Sequence, residues 1–120
     1  VITPTLTNAG TAVVAATRLR ADGFGTALSS KSADYTAVAT DSTLLVDATA
    51  AARTITLPAA SGATGRIYVV KKTDAGGNSV TVDANASETI DGATTYVLAT
   101  QYKFVAIQCD GSNWHVIGAN

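Results

Sequence analysis

The chain has 120 residues, a formal net charge of -1 and an isoelectric point near 5.6. Its eight Lys and Arg are scattered apart from Arg18/Arg20 and Lys71-Lys72, which excludes the basic footprint of a nucleic-acid-binding surface. Its single cysteine, Cys109, excludes an intrachain disulfide and a cysteine-rich metal site.

The length fits one domain with a single core. Hydrophobic residues make up 47% of the chain and charged residues only 14%, and much of the apolar share is alanine. A surface so poor in charge is covered by Thr, Ser, Asn and Gly, or by burial between subunits, since obligate interfaces resemble a core cut in half. No apolar run is long enough to span a bilayer. The first residues lack the basic-then-apolar layout of a signal peptide.

In chain order, residues 1–6 read as extended, with Thr3-Pro4 favouring β or polyproline geometry. Thr7 or Asn8 can cap a short helix over 9–21, and Asp22-Gly23 is its stop. Val13, Ala16 and Arg20 fall on one side of that helix. Gly23, Gly25, Ser29, Ser30 and Ser32 then read as a flexible connection. Residues 1–33 are therefore expected to form an N-terminal attachment arm, and residues 34–120 a β-sandwich domain.

From Asp34 onward the pattern is short strand, turn, short strand. Thr54, Ile55, Thr56 and Leu57 alternate polar and apolar, the period of a half-buried strand. Pro58 ends that strand because it has no N–H for a ladder. Ser61, Gly62, Thr64 and Gly65 supply turn residues, and the more apolar Ile67–Val70 follows. The spacing predicts strands over 35–39, 42–46, 53–57, 66–73, 79–83, 94–99, 102–109 and 113–117, with a short addition at 88–90. Asp91-Gly92 and Asp110-Gly111 permit the positive φ of tight hairpins. About eight short strands at this spacing predict an all-β fold, an antiparallel, jelly-roll-like sandwich.

Tyr35-Thr36-Ala37 and the run from Ala39 to Ala48 resemble the opening of a β-module common in bacteriophage fibre proteins. The stretch from Thr54 to Asp74 resembles its central signature. Ser87-Glu88-Thr89-Ile90-Asp91-Gly92 and Ser112-Asn113-Trp114-His115-Val116-Ile117-Gly118 resemble its closing half. The resemblance covers residues 34–118. Separately, Ile2-Thr3-Pro4-Thr5-Leu6-Thr7-Asn8-Ala9-Gly10 resembles the start of phage tail-fibre proteins, an end that tends to face the virion. The resemblance implies a non-enzymatic virion protein (a fibre, knob or decoration) that adheres to the host, often as a homotrimer. Its partners would be other phage structural proteins, met through the N-terminal arm. A carbohydrate-binding module for host surface glycan is the alternative.

The candidate residues are few. Arg18 and Arg20 either dock on an acidic virion partner or form a solvated helix face. Trp114, flanked by Val116 in a terminal strand, is expected to anchor the core; exposed, it would join Tyr96 and Tyr102 as rings that stack on sugars. His115 has no second histidine and no cysteine near it in sequence, and reads as structural or surface. Cys109 ends an apolar run and reads as a small buried hydrophobe. Asp83, Glu88 and Asp91 lack the alternating spacing of an EF-hand loop. Glu88 and Asp91 as a glycosidase pair would need one raised pKa and a fixed separation. Asn85-Ala86-Ser87 fits the glycosylation pattern. Residues 61–65 lack the Gly-Lys-Ser/Thr ending of a phosphate loop and read as a hairpin. No catalytic set, cofactor motif or metal-ligand set emerges, so no enzyme activity is expected.

Overall fold

The computed structural model describes residues 25–120. The helix expected over 9–21, with Arg18 and Arg20, lies outside the described residues. Alternating branched apolar and small polar residues produce nine strands: β1 (Leu28–Lys31), β2 (Tyr35–Thr36), β3 (Thr43–Val46), β4 (Arg53–Thr56), β5 (Ile67–Lys72), β6 (Val80–Asp83), β7 (Thr95–Leu98), β8 (Phe104–Cys109) and β9 (Trp114–Ala119). Among the described residues there is no helix.

The strands form a five-stranded sheet, β1-β3-β5-β8-β9, and a four-stranded sheet, β2-β4-β6-β7. The chain crosses between sheets after each of its first five strands. β1 to β4 therefore each pair with the strand two places on, in parallel. β7, β8 and β9 close the structure with antiparallel pairs.

The all-β, two-sheet arrangement is the expected one. The pairing is mixed, however, and not antiparallel throughout: parallel pairing joins β1–β3, β3–β5, β2–β4 and β4–β6. Period-two alternation reports which face is buried and is blind to strand direction. Residues 61–65 accordingly form no hairpin, because β4 and β5 lie in different sheets. Instead Ala63 N–H donates to Ala60 O and Arg66 N–H to Ala63 O, two successive turns that carry the chain across. The serines read as a flexible connection also contribute a strand. Ser29, Ser30 and Lys31 pair with Leu44, Leu45 and Val46. An edge strand needs backbone partners more than an apolar face, so its side chains gave no signal.

The core lies between the sheets. Leu44, Val46, Tyr68, Val70, Val105, Ile107 and Trp114 from one layer meet Ile55, Val80, Val82 and Leu98 from the other. Trp114 is fully buried, its ring 5.7 Å from that of Tyr68 at 49°. Cys109 is buried as expected. On β5 the alternation that buries Tyr68 and Val70 also buries Lys72, which is 0% exposed. Its ammonium meets Asp74 Oδ2 at 2.6 Å, Asp74 O at 2.9 Å and Gly76 O at 3.1 Å.

Candidate functional site

The two outward faces differ sharply in chemistry. On the five-stranded sheet, the residues that alternate with the buried ones include Leu45, Ile67, Val69, Phe104 and Ala106. Register sets Thr43 beside Val69 and Val69 beside Ala106, with Leu45, Lys71 and Phe104 in the next row. Leu28 at one edge and Ile117 at the other are 66% and 53% exposed. The four-stranded sheet instead shows threonine: one row is Thr36, Thr56, Asp83 and Thr95, and the next is Thr54, Thr81 and Val97. Hydroxyls and a carboxylate suit a wet face. Apolar side chains gathered on one outward sheet face mark an interaction surface, on the five-stranded sheet interrupted by Thr43, by Lys71 between Leu45 and Phe104, and by Gln108 beside Ile67.

The three aromatic residues considered for glycan contact do not meet. Trp114 is sealed inside the core and offers no ring to a sugar, which corrects that assignment. Tyr96 shares the core-facing side of β7 with Leu98 and packs partly buried against the core. Tyr102 is 57% exposed, in the turn before β8, with Lys71 Nζ 5.3 Å from its ring centroid. Trp114 pairs with Cys109 at the far end of β8. At about 3.4 Å per residue, the length of β8 separates it from Tyr102 by roughly 17 Å.

The acidic residues are committed to local structure. Both Glu88 carboxylate oxygens accept from Ala60 N–H, at 3.0 and 3.1 Å. Asp91 Oδ1 accepts from Val116 N–H at 3.0 Å. Among the described residues no three potential metal ligands gather. His115, exposed on β9, places Nε2 2.7 Å from Asp110 Oδ2 and Nδ1 3.9 Å from Asp91 Oδ1. The Asn113 N–H, the His115 ring and the Ser112 N–H hold Asp110 down to about 2. Asp74 is likewise held at about 2 by Lys72 and the Ala48 N–H. The Asp41 carboxylate raises the Tyr35 phenol by accepting its hydrogen bond.

A concave feature is built from segments distant in sequence. A cleft of about 230 Å³ lies where the β2–β3 connection meets the β4–β5 crossover, lined by Ala39, Pro58, Ser61, Ala63, Arg66 and Tyr68 among others. Arg66 precedes β5, and its Nη2 donates to Asp41 O at 2.7 Å. The only trace in sequence was a lone arginine after a glycine-rich stretch. Recognising the cleft requires three separate segments to converge.

No protein-family model matches this chain, and no curated protein or solved structure matches it. Among the described residues, no helix is long and apolar enough to cross a membrane.

Proposed function

We propose that this chain is a non-enzymatic structural protein of a phage virion. In this reading it assembles as a homotrimer and is displayed on the particle for adhesion to the host. The observation that carries the reading is the apolar outer face of the five-stranded sheet. Strands spaced about 4.8 Å apart and up to about 20 Å long give that face an area of about 450 Å². Three such faces turned toward a common axis bury roughly 1,300 Å² in all, about 450 Å² at each of the three pairwise contacts, so the face by itself makes a small interface and the trimer draws on further surface.

A closed arrangement also leaves the threonine face of each subunit in water. The resemblance of residues 34–118 to phage fibre modules supplies the number three. Three copies of a weak contact then raise avidity through effective concentration. The residues before β1, whose stretch Ile2 to Gly10 resembles the virion-facing start of tail fibres, are the proposed link to other phage structural proteins.

Val69 sits mid-face on β5, between Thr43 and Ala106, so Val69→Lys tests the reading. The variant is expected to keep the far-ultraviolet circular dichroism of the wild type while its sedimentation velocity drops to that of a monomer. A variant that sediments with the unaltered wild-type assembly would remove this face from the interface. The carbohydrate-binding alternative draws support from the Arg66 cleft.

A further inference from the structure

The Arg66 guanidinium is held in place, yet its charge is unmatched. Nη2 donates to the Asp41 carbonyl, and Cζ lies 5.1 Å from the centroid of the Tyr68 ring. Its Nε is buried and has no hydrogen-bond partner among the described residues. The carboxylates of Asp41 and Glu88 are both engaged elsewhere. Asp41 Oδ2 accepts from Tyr35 O–H at 2.8 Å and from Val38 N–H at 2.9 Å. Glu88 accepts from Ala60 N–H. Neither forms an ion pair with Arg66; among the described residues the ion pairs are Lys72–Asp74 and those of His115.

Around this guanidinium the cleft presents small apolar surfaces and one hydroxyl. Ala39, Pro58, Ala59 and Ala63 offer methyl and ring C–H groups, and Ser61 supplies the hydroxyl. At about 230 Å³ the space falls below the ~300 Å³ at which drug-sized pockets begin, and suits a single sugar ring. A planar fork of N–H donors matches a carboxylate. One cation with no second base beside it balances a monoanion better than a doubly charged phosphate. We propose that the cleft is a subsite for the carboxylate of a hexuronate residue in an acidic surface polysaccharide. The choice of polymer rests on the adhesion reading above. The carboxylate chemistry of the cleft does not.

A single subsite of this size binds at about millimolar affinity. The full chain, labelled with ¹⁵N, is titrated with D-glucuronate, D-glucose and glucose 6-phosphate. Glucuronate is expected to shift the Arg66 Nε–H resonance and the Gly62 and Ala63 amides, and glucose to leave them in place. Arg66→Lys keeps the charge and loses the fork, and is expected to weaken binding about tenfold. Ala59→Trp fills the cleft from an exposed position while leaving Arg66 in the sequence, and is expected to abolish binding in a folded protein.

Equal shifts with glucose, tighter binding of glucose 6-phosphate, or full glucuronate binding by Ala59→Trp would each overturn the proposal. Saturable glucuronate binding by a protein of monomeric mass supports the subsite while counting against the trimer. A trimer that shows no shifts overturns the subsite alone.

Discussion

Replacing Lys72 by Met tests whether the buried ion pair at the end of β5 holds the domain together. The ammonium has three N–H donors, and Asp74 Oδ2, Asp74 O and Gly76 O accept all three. Methionine keeps the unbranched stem beside Val70 and removes the charge. The Asp74 carboxylate, only 6% exposed, then keeps the Ala48 N–H and Gly76 N–H but loses its cation. Removing one partner of a buried pair typically costs about 3–5 kcal/mol, because the remaining charge is stranded. Against a total of about 5–15 kcal/mol for a domain, that is a large fraction. Urea unfolding at neutral pH, followed by Trp114 fluorescence and circular dichroism, measures the loss; an unchanged m-value confirms that both proteins unfold alike. Adding Asp74→Asn to Lys72→Met removes the stranded charge and is expected to recover part of the stability. A loss below about 1 kcal/mol for Lys72→Met, the value of a solvated surface pair, would show that the pair does not hold the domain together. So would a double variant whose loss equals the sum of the two single losses.

Trp114→Ala empties the space against Tyr68 and is expected to cost about 3–5 kcal/mol in the same urea assay, with Trp114→Phe costing less. Asp74 and Asp110 sit at about 2, below the ordinary 3.8. Depressed carboxylates contribute stability that is fully present above their ordinary pKa and is lost as pH falls through the folded value. The melting temperature should therefore decline from about pH 4 toward pH 2, and Asp110→Asn should flatten that decline. Gly111 has φ +96°, and an added Cβ would lie 2.6 Å from Thr64 Oγ1, whereas Gly92, at φ +86°, has open space around it. Thermal melts should show Gly111→Ala more damaging than Gly92→Ala, whose cost is the backbone strain of about 1–2 kcal/mol.

Much of the fold is legible in the sequence because burial alternates with period two. Ile55, Val80, Val82, Val105 and Ile107 are where alternation puts them, and Pro58 stops β4 as its missing N–H requires. Strand direction is not legible, because hairpins and crossovers share the same glycine-rich turns. β1 was hidden because a serine edge strand is held by its backbone alone. Lys72 stands in the Lys71-Lys72 pair, yet the rhythm of Tyr68, Val70 and Lys72 points inward; only the acceptors at 74 and 76 make that burial tolerable. The Arg66 cleft depends on residues 39, 58 and 63 converging, which no local pattern encodes. The outer apolar face was half legible: the low charge content signalled covered surface, and register then showed which surface.

The solution mass of the intact chain, by light scattering during size-exclusion chromatography, decides whether the protein is a trimer. With 12.1 kDa per chain, a trimer has a mass of 3 × 12.1 = 36.3 kDa. That mass is expected to persist on dilution, with the apolar face of β3, β5 and β8 covered. A mass of 12.1 kDa at every concentration would contradict the trimer and leave a monomer whose apolar face has some other role.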